Sequence, residues 1–152
     1  IAITQDFLDL ETEPVDKDEI EKAKAPDKHW LIHQWAEYHE RRIAQGLHEQ
    51  RIVPFELQTV RFGDALAIVT MAGEMSVEYS LRLKKELAAS FKGVLPLGYT
   101  NDVVGYVPVK RQIPEGGYEV WRANQIHKRT GTYVERTENQ IREAVHAALG
   151  VK

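Results

Sequence analysis

The sequence predicts an α/β fold, or α+β, with a mixed β-sheet and packed helices. Three observations carry this. An apolar run, Ala65 to Met71, ends in Ala72-Gly73-Glu74. A segment with helical periodicity, Ser76 to Ala89, follows it. A second apolar run, Gly93 to Leu97, then opens into a loop rich in Gly, Asn and Asp. Strand, turn, helix, strand and loop in that order make an α/β unit. Polar groups just past the carboxyl ends of such strands are where sites form.

The composition sets bounds. The 152 residues suffice for one compact unit with a core. A hydrophobic share of 43% and a charged share of 28% are those of an ordinary globular chain. The net charge of -3 gives no nucleic-acid footprint. With no cysteine, disulfides, thiolate metal sites and a cysteine nucleophile are excluded. No apolar run approaches the roughly 20 residues of a transmembrane segment. The chain opens on Ile1 and a strand-like run, so it is expected to be a piece of a longer protein.

Taken in order, Ile1 to Leu10 is β-rich and reads as a strand. Glu11 to Asp18 is an acidic loop holding Pro14, from which Asp16 or Asp18 can cap a short helix reaching about Ala25. His29 to Leu47 is the longest helical pattern, with Trp30, Ile32, Trp35, Tyr38, Ile43 and Leu47 as its apolar side. Ile52 to Phe62 reads as a strand in which Pro54 asks for an edge or a bulge near the start. Gly63-Asp64 is a hairpin turn leading into Ala65–Met71, whose continuous apolar character predicts burial on both faces. In Ser76–Ala89 the expected inward residues are Val77, Leu81 and Leu87. Gln112 to Gly117, with Pro114 and a Gly pair, reads as a loop. The last helix, capped by Thr132 or Thr137, presents Ile141, Val145, Ala148 and Leu149 and stops at Gly150.

Several residues invite chemistry. His29 and His33 share a helix face, a spacing that can hold a metal, but Trp30 stands where an HExxH motif needs its glutamate. The better reading is two surface histidines. Ser76 can be an exposed nucleophile or, more simply, a helix cap. Glu74 has two readings: a carboxylate favoured by the helix dipole, or a metal ligand or general base at the end of the sheet. Gly98 to Tyr106 is either a tight surface connection or a pocket wall built from Tyr99, Asn101 and Tyr106.

The ordered set Gly63-Asp64…Ala72-Gly73-Glu74, Leu81-Arg82-Leu83, Gly98 to Tyr106 and Tyr118-Glu119 resembles the neutral/alkaline non-lysosomal ceramidase family over about residues 56–122. The resemblance implies a zinc-dependent hydrolase of an amide or ester bond acting on a lipid or other N-acyl substrate, in an extracytoplasmic or secreted setting. It implies that Glu74 is the glutamate ligand. The histidine ligands and the reactive serine lie upstream in the family, so the partner this chain needs is the upstream part of the same protein. The family's tyrosine ligand falls at Val103, and a valine binds no metal; Tyr106 matches the second tyrosine of that motif. The alternative is a non-catalytic α/β module that binds a ligand or partner.

Overall fold

The computed structural model describes residues 1–151. Its main sheet has four strands in the order β1 (Ala2–Glu11), β2 (Ile52–Phe62), β3 (Leu66–Met71) and β5 (Gly93–Leu97). β1–β2 and β2–β3 are antiparallel, while β3–β5 is parallel, so the sheet is mixed and the expected α/β class holds. The parallel pair is joined through α3 (Val77–Leu87), a crossover of the kind that parallel neighbours require. Between β1 and β2 the chain makes an excursion through α1 (Lys17–Ala23) and α2 (Trp30–Ala44).

β2 is flanked on both sides, yet Pro54 satisfies the expectation for its type. It pairs with Asp9 of β1, but pairing with β3 starts only at Leu57. At Pro54 the strand is therefore locally one-sided, where a missing N–H costs no ladder bond. The hairpin forms at Gly63, whose φ of 57° is the left-handed value that favours glycine. Its carbonyls then hold the next strand: Lys92 N–H donates to Asp64 O and Gly93 N–H to Ala65 O.

The core lies on one side of the sheet. Leu10, Phe55, Leu57, Val69 and Met71 meet Tyr79, Leu83 and Leu87 of α3, and Ile141, Val145 and Leu149 of α5 (Thr137–Leu149). This corrects the face expected for α3. Val77 and Leu81 are 69% and 61% exposed, and the buried stripe is Tyr79, Leu83, Leu87 at i, i+4, i+8. The sequence offered two apolar stripes, and the buried one is that containing Tyr79, whose hydroxyl donates to Pro108 O at 3.2 Å. In β3 the expected burial is largely observed, with Ala67, Val69, Thr70 and Met71 buried and Leu66 and Ile68 half-buried.

A second, smaller cluster is built from Ile20, Ala23, Ile32, Trp35 and Ala36 of α1 and α2. Here too the apolar side differs from expectation: Trp30, Ile43 and Leu47 are exposed, and Ala36 and His39 complete the buried face instead. The α1 cap is as expected, Asp16 accepting from Asp18 N–H at 2.8 Å. The α5 cap is not. Arg136 occupies that position without a side-chain bond, and Thr137 is the first helical residue. Lys110–Glu115, which overlaps the loop expected over Gln112 to Gly117, forms a 3₁₀ helix, and a π-helical turn follows at Tyr118–Arg122, continuing into α4 (Ala123–Ile126).

His39 packs between Trp35 and Tyr38 with ring centroids 5.0 Å away on each side. Burial holds its pKa below the ordinary value; Arg42 adds to this, while the Arg129 and Lys128 backbone and Glu49 oppose it. A base whose folded pKa is depressed favours the folded state when neutral. Its stabilising contribution is therefore full above the unfolded histidine value of about 6.5 and is lost as pH falls below it. Urea midpoints at pH 7.5 and pH 5 should thus differ, with the acid value lower, and His39→Leu should narrow that difference. An unchanged difference in the variant would assign the acid loss elsewhere.

Candidate functional site

The site forms where the main sheet hands over to a small one. After β3 the chain continues through Ala72 and Gly73 into β4 (Glu74–Met75), which pairs in parallel with β6 (Tyr106–Val107). Glu74 and Tyr106 are register partners, so their side chains leave the same face of this two-stranded sheet. The expected neighbouring of the two sequence motifs is thus realised through β4 and β6 as well as through β3 and β5.

Both arms of the 98–107 loop grip the Met71–Ser76 segment. On one side Tyr99 N–H donates to Gly73 O at 2.8 Å and Thr100 N–H to Met71 O at 3.4 Å. On the other, Val104 N–H donates to Ala72 O at 3.2 Å, Glu74 N–H to Gly105 O at 2.9 Å and Ser76 N–H to Val107 O at 3.3 Å. Gly98 is required by space: a Cβ there would sit 2.9 Å from Gly73 O. Tyr99 is held at φ 52°, a left-handed value that costs a non-glycine residue on the order of 1 kcal/mol or more. The surrounding hydrogen bonds keep it there.

Glu74 itself is half-buried. None of the ion pairs among the described residues involves it. It also stands outside α3: the helix begins at Val77 behind Ser76, and the acidic residue of its first turn is Glu78. The helix-dipole account of Glu74 is weakened accordingly, because the dipole acts within the first turn. The Glu74 carboxylate instead lies by the Tyr99 phenol. Hydrogen bonding to Glu74, aided by burial and by the charge of Glu74, raises that phenol's pKa, with smaller contributions from Tyr118 and Tyr106. Tyr99 is thus the phenol beside the carboxylate, and Tyr106 is its register partner.

His127 is the residue that the sequence did not flag. Its ring lies against Gly105, whose Cβ would be 3.1 Å from the ring Cδ2, and Gly105 has the φ of 109° that suits glycine. Burial lowers the His127 pKa, with Arg129 acting the same way and the Asp102 and Glu74 carboxylates opposing. Nothing in the local sequence around position 127 announces this neighbour, since it arrives through α4. Tyr118 opens a cavity of about 870 Å³ lined further by Trp121, Arg122, Ile126, His29 and Leu31.

The other expected residues fall as follows. Asn101 donates its amide to Glu56 Oε1 of β2 at 2.8 Å rather than to Glu74. Val103 is exposed. Ser76 is buried at the cap position of α3 without a side-chain cap bond, so it is neither an exposed nucleophile nor the expected hydroxyl cap. His29 caps α2 by accepting from Leu31 N–H at 3.3 Å, and His33 Nε2 lies 3.0 Å from Ala25 O. His29 is exposed, as expected of a surface histidine, whereas His33 is half-buried. Among the described residues no group of three or more His, Cys, Asp or Glu side chains can hold a metal. A half-buried carboxylate that makes no ion pair among the described residues, beside Tyr99 and in register with Tyr106, fits one oxygen ligand of a divalent cation, not a whole site. No family model, curated protein or solved structure matches this chain.

Proposed function

We propose that this chain is the carboxyl-terminal portion of a ceramidase-like zinc hydrolase that cleaves an amide or ester bond of a lipid or other N-acyl substrate. The observation that carries the reading is Glu74, a carboxylate without a cationic partner, held in register with Tyr106 and beside Tyr99. Glu74 would supply one ligand, and upstream residues of the same protein would supply the rest. Glu74 and those upstream ligands would hold the zinc, which would supply polarisation of the scissile carbonyl and acidification of water. Tyr99 orients the Glu74 carboxylate, and Tyr99, Tyr106 and the Asn101 turn wall the pocket. The Asn101–Glu56 bond keeps that wall in place.

Metal and activity measurements on the complete gene product test this. One equivalent of zinc and hydrolysis of an N-acyl amide are expected there. The 152-residue chain alone should show neither, because its own donor set is a single carboxylate. A complete product that hydrolyses the amide without any metal, or binds zinc without hydrolysis, removes the reading. The latter outcome would move preference to a non-catalytic α/β binding module. Val103 at the family's tyrosine position is the observation that favours this second reading.

A further inference from the structure

The stretch 118–126 has two sides. Val120, Ala123 and Asn124 are buried. Tyr118, Trp121, Arg122, Gln125 and Ile126, spaced i, i+3, i+4, i+7 and i+8, share the other side and line the cavity of about 870 Å³. Ala23 of α1 and Leu31 and Ile32 of α2 form the facing wall. The volume lies within the roughly 300–1,000 Å³ of small-molecule sites. Glu74, Tyr99 and Tyr106 are not among the walls. The rings are set by a glycine pair. Gly116 and Gly117 take φ of 68° and 91°, and a Cβ on Gly116 would stand 3.8 Å from the Trp121 indole.

Charge narrows what the cavity takes. Lys22, Lys28 and Arg122 face it with Glu19 and Asp27, three cations against two carboxylates with His29 neutral. Both carboxylates are already bonded, Glu19 to Lys22 at 2.7 Å and Asp27 to Lys28 at 3.2 Å. Arg122 makes no ion pair among the described residues. A second polar group is also left over. Gln125 is 8% exposed, and its side chain makes no hydrogen bond among the described residues. Buried side-chain amides are ordinarily bonded. Its amide is not sealed in protein as the unbonded His39 Nε2 and Asn124 Oδ1 are, so its opening is the cavity it lines.

We propose that this cavity is a binding site for a small aromatic monocarboxylate. The ligand's ring lies against Trp121 and Tyr118, whose flat faces favour an aromatic partner. Its carboxylate takes the planar fork of Arg122 and the amide N–H of Gln125. One excess positive charge matches one carboxylate. A phosphate would bring nearly two negative charges beside Glu19 and Asp27, and a cation would find both acids taken. This site is independent of the zinc-hydrolase reading.

Calorimetry on the complete protein tests it with 2-naphthoate as the probe. The neutral 2-naphthylmethanol and the aliphatic decanoate are the comparison ligands. Naphthoate should bind with a Kd of about 1 mM or tighter, and more tightly than either. Arg122→Gln should weaken naphthoate roughly tenfold and leave naphthylmethanol unchanged. Gln125→Leu should weaken naphthoate as well. Trp121→Ala, its fold checked by circular dichroism, should weaken both aromatic ligands. Absence of naphthoate binding overturns the proposal. So does equal binding of naphthylmethanol with no effect of Arg122→Gln, which would leave an apolar patch only. Tighter binding of decanoate would mean an acyl ligand and overturns it too. Glu74→Gln should leave naphthoate binding unchanged. Loss of binding in that variant would place the carboxylate at the zinc site and overturn the cavity assignment while supporting the ligand role of Glu74.

Discussion

Replacing Glu74 by Gln in the complete protein is expected to abolish zinc binding and hydrolysis while the fold survives. The substitution keeps shape and removes charge. In the structure the carboxylate has no ion pair to lose, and its backbone N–H bond to Gly105 O does not involve the side chain. Its distance from the first turn of α3 limits any dipole contribution to less than the roughly 0.3–1 kcal/mol of a well-placed carboxylate. Thermal unfolding should therefore barely move. Zinc affinity should fall by more than the roughly 10–100-fold seen when only an outer-shell partner of a ligand is lost. Elemental analysis of the purified variant decides the matter. Full occupancy would show that Glu74 is not a ligand. Val103→Tyr is the complementary variant, and any gain in zinc affinity there would place a second oxygen beside the first.

The largest expected loss of stability comes from Leu83→Ala. Leu83 is fully buried between Tyr79 and Leu87 on α3, and a leucine truncated at such a position costs about 2–5 kcal/mol through lost transfer energy and a residual cavity. Leu81→Ala is the control, two residues away on the same helix and 61% exposed. It should stay within about 0.5 kcal/mol of the parent. Urea unfolding followed by circular dichroism measures both. A larger loss for Leu81→Ala than for Leu83→Ala would mean that Leu81, not Leu83, faces the sheet.

That pair of variants marks where sequence reasoning stopped. Strand and helix identities over β2, β3, α3 and β5 were legible, because continuous apolar runs, a Gly-Asp turn and helical periodicity are local signals. The face of α3 was not. Val77, Leu81 and Leu87 and the set Tyr79, Leu83, Leu87 both suit a helix, and only the position of the sheet selects between them. The same ambiguity misplaced Trp30 and Ile43 on α2. Adjacency of Glu74 with the Gly98–Tyr106 loop was legible from the strand–helix–strand order, since neighbouring strands follow from a short crossover. The pairing of β4 with β6 was not, because two-residue strands carry no periodicity. His127 was invisible for a related reason: it meets Gly105 through α4, from a distant part of the chain. Asn101 was placed in the correct loop, but its partner Glu56 sits on another strand, and a contact of that range has no local signature.

The position of the three tryptophans has an optical consequence. Trp35 is buried in the α1–α2 cluster and donates its indole N–H to Arg129 O at 2.7 Å. Trp30 opens α2 in solvent, and Trp121 belongs to the π-helical turn. The main core contains none of them. Intrinsic emission therefore watches the small helical cluster and is blind to the sheet, whereas ellipticity watches chiefly the sheet, α3 and α5. A chromophore count alone would suggest a well-reported protein. In practice fluorescence sees only one corner, and the two signals coincide on unfolding only to the extent that this corner melts together with the sheet.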